Sequence, residues 1–370
     1  MKISASMKAA AIGGIALLAL TSCASNEGGS GSGENGENGS SLTGTLNATG
    51  ASSQDAAQQA WIASFQDTHS GVTINYQATG SGVGRDNFQG GGQAYIGSDR
   101  AFDDEEIAAG GFGSCVTDDI VEIPVYISPV AIIFNIEGVE SLNLKPSVVA
   151  DIFNGEITKW NDAAIAEDND GVELPDLDIS PVHRSDTSGT SEVFGTYLNA
   201  VAPDEWPHEP SDTWPVAEGE SAQGTSGVVQ TVTNGNGTIG YADASQAGTL
   251  GTVAVQVGEE FVSYSAEAAA QLVEASPLAE GRGAGDLVFE VDPAAAPAGS
   301  YPIALVSYLI ACEQYEDANI AELVKEYFTF VASAEGQEVS AGAAGSAPLS
   351  ETLRTQINGA IELIGSGAAE

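Results

Sequence analysis

The sequence predicts an α/β fold of about two domains with largely parallel sheets, and three observations lead there. The chain has 370 residues, room for two domains at roughly 100–200 residues each, with a real core in both. Hydrophobic residues make up 42% of it and four are Trp, which excludes wholesale disorder. From residue 42 onward, short β-rich runs alternate with Gly/Ser turns and amphipathic stretches, the pattern of strands connected through helices. No repeat of about 20–50 residues recurs, so solenoids and propellers are out.

The elements follow in order. Residues 45–48 form a strand that leads through Thr49-Gly50-Ala51-Ser52-Ser53 into a helix over 56–65. Residues 72–77 alternate as a strand, and Thr79-Gly80-Ser81-Gly82 turns into 83–88. A third strand, 94–97, stops at Ser98-Asp99. The run 120–135 (IVEIPVYISPVAIIFN) is long and β-rich. A helix near 148–153, a strand at 179–183 and a helix over 190–198 come next. Residues 228–233 are helical, 237–241 a strand, 301–310 strand-like, and 320–333 and 351–364 closing helices.

The N-terminus reads as an export address. Lys2 and Lys8 form a positive region, and residues 9–20 an apolar run too short to span a bilayer stably. It ends in Leu20-Thr21-Ser22-Cys23, which resembles a lipobox, where the cysteine is diacylated and becomes the new N-terminus. An ordinary cleaved signal with a chance cysteine is the alternative. Residues 24–41 are Gly, Ser, Asn and Glu with almost nothing apolar, a flexible tether. The expectation is a globular part leashed to the outer face of a membrane by its acyl chains.

Ten Lys and Arg stand against 52 Asp and Glu, a net charge of −42. Nucleic acid is excluded as a partner, because phosphate-backbone binding needs clustered cations, and so is a broad basic surface for anionic membranes. Any bound anion must be held by local geometry against the global field. Cys115 and Cys312 remain beside Cys23; in an exported protein they read as one disulfide, with two buried thiols as the alternative. His69, His183 and His208 show no metal-ligand spacing with them, and no metal or other cofactor is implied.

Three turns share one chemistry: Gly50-Ala51-Ser52-Ser53, Gly80-Ser81-Gly82 and Thr187-Ser188-Gly189-Thr190-Ser191. Each lies between a strand and a helix, where glycine admits a ligand to the backbone, hydroxyls donate and the helix N-terminus offers free N–H groups. One such turn is only a capped helix. Three at strand C-termini point to the crevice where open α/β sheets bind ligands. Arg184 stands beside the third turn, the only Lys or Arg between Lys159 and Arg282. Its guanidinium offers paired donors to an oxyanion, and Asp186 can orient it. Asp99, acceptor-only when ionised, fits an anion that keeps a proton, as phosphate does and sulfate does not; a turn residue paired with Arg100 is the alternative.

These residues resemble the phosphate-binding lipoproteins of bacterial phosphate-specific ABC transporters, two-lobed solute-binding proteins of the periplasmic type. The matching motifs are Tyr76-Gln77-Ala78-Thr79-Gly80-Ser81-Gly82, Ile96-Gly97-Ser98-Asp99, the segment from Asp151 to Asp162, Arg184-Ser185-Asp186-Thr187-Ser188-Gly189-Thr190-Ser191, Gly237-Thr238-Ile239-Gly240-Tyr241 and Ala347-Pro348-Leu349. The resemblance implies a type II periplasmic-binding-protein fold, mostly parallel sheets flanked by helices, hinged at two crossings near 130–135 and 301–307. Domain I would be 42–130 plus 306–370, and domain II 131–305. It implies phosphate contacts from the Ser52 hydroxyl, the Ser53 N–H, Ser81, Asp99, Arg184, Ser188, Gly189 and Thr190, with Asp186 orienting Arg184. The segment before Trp160 is implied to be structural. Where the family usually has Thr and then an aromatic residue, this chain has Ser52-Ser53, which keeps the hydroxyl. The implied partners are inorganic phosphate and the permease and ATPase of an ABC importer.

Three rivals remain: a binding protein for sulfate, molybdate or phosphonate, an exported serine hydrolase, and a surface adhesion or sensing protein that retains the fold, against which the intact donors in all three turns speak. The hydrolase lacks a Gly-x-Ser-x-Gly elbow. Its one nearby base, His183, adjoins Arg184 on a strand and so faces the other way.

Overall fold

A computed structural model describes residues 42–367; the export signal, Cys23 and the tether lie outside the described residues. The first part of the chain supplies β1 (Gly44–Gly50), α1 (Asp55–Thr68), β2 (Val72–Gln77), α2 (Ser81–Gln89), β3 (Tyr95–Ser98) and the short α3 (Asp104–Ala109). β1 lies between β2 and β3, parallel to both. α1 buries Ala57, Trp61 and Phe65 at fourfold spacing, one face of a helix.

β4 (Ile120–Asn135) follows, buried along fifteen of its sixteen residues. Covered on both faces, it has no need of polar alternation, hence the mostly apolar run, in which Glu122 and Ser128 are buried with the rest. Then come β5 (Ser141–Leu144), α4 (Pro146–Phe153), α5 (Ala163–Ala166), β6 (Ser180–Arg184), α6 (Gly189–Val201), β7 (Glu220–Ala222), α7 (Gly224–Asn234), β8 (Thr238–Asp243), β9 (Gly251–Val257), β10 (Glu260–Val262) and α8 (Ala266–Ala275). The chain returns through β11 (Ala304–Cys312) and closes with α9 (Ala318–Ala332), α10 (Ala334–Ala344) and α11 (Glu351–Ile361).

The main sheet has the order β2-β1-β3-β11-β4-β8-β6-β7, and β9 joins β4, β5 and β10 beside it. β4 is the seam of this two-lobed α/β fold. Up to Pro129 it pairs with β11, and from Val130 with β8. The sheet is mixed, and this corrects the expectation of mostly parallel pairing. β4 runs antiparallel to β11, β8 and β9, and β11 antiparallel to β3. A strand buried on both faces reads the same in either direction, so its composition carries no sign of this.

Several elements went unforeseen, among them β9, α8 and α10. α10 buries Gly336, Gln337 and Ser340 in place of an apolar stripe, so it has no helical period to read. Cys115 and Cys312 form a disulfide, Cα atoms 5.2 Å apart, across 197 positions of sequence. Trp160 is structural: its indole N–H donates to the Gly237 carbonyl at 3.0 Å and its ring packs on Phe134.

Candidate anion-binding site

Each candidate residue sits where a strand hands over to a helix. Ser52 and Ser53 link β1 to α1, Ser81 opens α2 after β2, and Asp99 follows β3. On the other half, Arg184 ends β6 and Ser188 caps α6, its hydroxyl accepting from the Ser191 N–H at 3.2 Å. α2 and α6 begin at Ser81 and Gly189, earlier than their apolar period suggests, so these hydroxyls and N–H groups belong to helix starts.

The two halves meet at Asp99. Its Oδ1 accepts from the Ser53 hydroxyl at 2.5 Å and the Ser307 hydroxyl at 2.6 Å. Its Oδ2 accepts from the Thr190 hydroxyl at 2.8 Å, across the cleft. The Ser81 hydroxyl accepts from the Asp99 N–H at 3.1 Å. Gly189 is what lets α6 come this close: a Cβ there would stand 2.6 Å from the Asp99 Cβ. Three hydroxyl donors leave this carboxylate about one acceptor site of its four, and no hydrogen to give.

Arg184 is 3% exposed and locked by Asp186. Its Nε donates to Asp186 Oδ1 at 2.7 Å and its Nη2 to Oδ2 at 2.5 Å, a bidentate pair that does not take Nη1. Asp186 also accepts the Gly224 N–H at 3.1 Å. Burial opposes its ionisation, but the hydrogen bonds and charge of Arg184 outweigh burial and hold its carboxyl below the usual range. Beneath them, the Tyr241 hydroxyl accepts from the Arg184 N–H at 3.3 Å and lies 2.6 Å from the Ser191 hydroxyl. Burial pushes the Tyr241 phenol up to about 12, so it stays neutral.

A fourth turn of the same kind went unnoticed in the sequence. After β7, Gly224 adopts φ 70° and opens α7, with Thr225 next in its first turn. Across the cleft, the Ser52 hydroxyl accepts from the Thr225 N–H at 3.0 Å and sits 3.0 Å from its hydroxyl. Gly224-Thr225-Ser226 repeats the Gly/hydroxyl signature, and that signal was available. Ser307 had no such signal, since it lies inside a strand. Another backbone contact, from Gly82 N–H to the Thr187 carbonyl at 3.2 Å, also spans the cleft.

Among the described residues, His183 contacts the Arg184 carbonyl and stacks on Trp214, with no hydrogen bond to Ser52, Ser53, Ser81 or Ser188. Nor, among the described residues, do His, Cys, Asp and Glu gather into a group that could hold a metal ion.

Residues 35–335 match the model of a PBP superfamily domain. Phosphate-binding protein PstS 3 of Mycobacterium leprae is 33% identical over 327 residues, covering 86% of this chain and 87% of that protein. Phosphate-binding protein PstS of Xylella fastidiosa is 32% identical over 277 residues, 72% of each chain. Among solved structures, a high affinity periplasmic phosphate-binding protein bound with phosphate superimposes with a TM-score of 0.68 at 21% identity, over 85% of this chain and 92% of its own. A phosphate-binding protein from Stenotrophomonas maltophilia gives 0.64 at 20% identity, over 85% and 93%. At these identities the structural likeness is one of fold.

Proposed function

The chain belongs to the PBP superfamily, among its PstS phosphate-binding proteins, and we propose that it captures inorganic phosphate between its lobes and delivers it to an ABC importer. The ligand shell is the Ser52 hydroxyl, the Ser53 N–H, Ser81, Asp99, Arg184, Ser188, Gly189 and Thr190, with Asp186 holding Arg184. Two sources of support join here: relatives about one-third identical carry the phosphate-binding name, and Ser53, Ser81 and Thr190 all bond to Asp99 in the cleft. The observation that carries the reading is Asp99, an acceptor-only carboxylate, buried beside helix N-termini that favour anions. Such a carboxylate repels a fully deprotonated ion and accepts a hydrogen bond from one that keeps a proton.

Desolvating a phosphate dianion is expensive unless its oxygens are paired. Charge-assisted hydrogen bonds contribute roughly 1.5–3 kcal/mol each, so a handful from both lobes offsets that cost. The bodies that close on the ion are residues 42–130 with 306–370, and residues 131–305. The change of partner along β4 at Val130 supports this division. Closure then shifts the population toward the form that the membrane permease and its ATPase recognise. The protein acts outside the cytoplasm as a binding protein and not as an enzyme. Cys23 carries the lipid anchor, and among the described residues no helix is long and apolar enough to cross a membrane.

Calorimetry tests this on the protein without residues 1–22. Phosphate is expected to bind at micromolar concentration or tighter, about −8 kcal/mol or beyond, sulfate far more weakly, and Arg184→Ala to abolish the heat. Equal binding of both anions overturns the role of Asp99, and undiminished binding by Arg184→Ala overturns the site.

A further inference from the structure

Beside this site, four charged side chains that the ligand shell does not use meet across the cleft. Arg85 lies on α2 and is 4% exposed. Its Nη1 donates to Ser98 Oγ at 3.1 Å and its Nη2 to Asp212 Oδ2 at 2.6 Å. Asp212 comes from the other half, in the segment after α6, and its carbonyl accepts the Ser188 N–H at 2.8 Å. Arg100, next to Asp99, places its Nε 3.2 Å from Glu192 Oε2 on α6 while its Nη1 and Nη2 hold Glu106 at 2.7 and 3.0 Å.

Burial and the nearby Arg100 charge both disfavour the protonated form of Arg85. The first lobe thus carries two guanidiniums that repel each other; its own Glu106 already pairs with Arg100, and the second lobe adds Asp212 for Arg85 and Glu192 for Arg100. The pairs tie together the parts that face the ion. Arg85 is one turn along the helix that Ser81 opens, and Asp212 holds the N–H of the residue that caps α6. We propose that Arg85–Asp212 and Arg100–Glu192 form a charge latch for the closed cleft, with Arg85 and Asp212 as positioning residues that set the distance between the Ser81 and Ser188 helix starts. This rests on the reading of the cleft as one that closes on phosphate.

An interaction made only in the closed form raises the share of the binding-competent state, so its loss lowers affinity by that factor. Its loss also falls mainly on the rate of release. Arg100, Asp212 and Glu192 line a cavity of about 470 Å³ and are 19, 22 and 27% exposed. Salt therefore reaches the latch and weakens it.

Stopped-flow phosphate release is compared for the wild type, Asp212→Asn and Asp212→Glu at low and high salt. Asp212→Asn is expected to release phosphate about 10-fold faster, the scale of a close interfacial charge pair, with association within about threefold. Its melting point without ligand should be unchanged, its release less salt-sensitive, and Asp212→Glu should restore part of the retention. Unchanged release, or a fall in ligand-free melting point that accounts for the lost affinity, overturns the latch. A pair of spectroscopic labels across the cleft supplies a readout that needs no phosphate: Asp212→Asn should shift the ligand-free distances toward the open form, and an unchanged distribution counts against the latch. Failure of the wild type to bind phosphate overturns the ligand assignment instead, and the label distances still judge the latch.

Discussion

Thr190 and Asp99 stand on opposite lobes, and the Thr190 hydroxyl donates to Asp99 Oδ2 at 2.8 Å. The carboxylate to which we assign the choice between anions is thereby also the point where α6 docks on the first lobe. Its other oxygen is held by Ser53 and Ser307, so it cannot turn away from the cleft.

Replacing Asp99 by Asn keeps the shape and removes the charge. One acceptor oxygen becomes an amide donor facing hydroxyls, and the repulsion toward a fully deprotonated ion disappears. The expected result in Asp99→Asn is a loss of discrimination between phosphate and sulfate larger than the loss of phosphate affinity. Calorimetry with both anions decides it, and an unchanged selectivity ratio counts against the assignment.

Gly82 touches the opposite lobe with its backbone. A Cβ there would stand 1.9 Å from Thr187 Oγ1, a clash across the cleft that the proposed closure would bring on. Gly82→Ala should therefore lower phosphate affinity by at least about tenfold, by the usual cost of overpacking, about 1–3 kcal/mol. The melting point without ligand should scarcely change. A variant that binds normally would show that the lobes need not approach this closely.

Asp243 ends β8 beside Val130, the position where β4 changes partner. Its Oδ1 accepts from the Tyr126 hydroxyl at 2.9 Å and from Ser245 N–H and hydroxyl at 3.0 and 2.5 Å. Burial pushes its carboxyl up to about 6 although Ser245, Ser128 and Tyr126 favour the charged form. The folded form therefore holds the proton more tightly than the unfolded chain. The stability from this group is complete below about pH 4 and is lost as pH rises through about 6, roughly 3 kcal/mol in all. Urea midpoints between pH 4 and 7 should show a slope that Asp243→Asn removes; parallel profiles for the two proteins would refute this.

The disulfide closes a very long loop, 197 positions. Reducing it, or replacing Cys115 and Cys312 together by Ser, releases chain entropy in the unfolded state and should cost about 2–5 kcal/mol. Scanning calorimetry should record a drop of several degrees, with phosphate affinity little changed because neither cysteine touches the candidate site.

Much of the site is written in short stretches of chain. Arg184 and Asp186 are two residues apart at one strand end, and Ser52, Ser81 and Ser188 each sit in a single strand–turn–helix passage. Caps, glycines and hydrophobic periods act over a few residues, so such signals survive in one dimension. The antiparallel course of β4 and β11 left no local trace, because a doubly buried strand looks alike in either direction. Thr225 lies 173 residues from Ser52, Ser307 208 from Asp99, and Asp212 127 from Arg85. Those partnerships come from how two half-sheets pack along β4, and that is a balance of long-range burial and closure, which no window of neighbouring residues encodes.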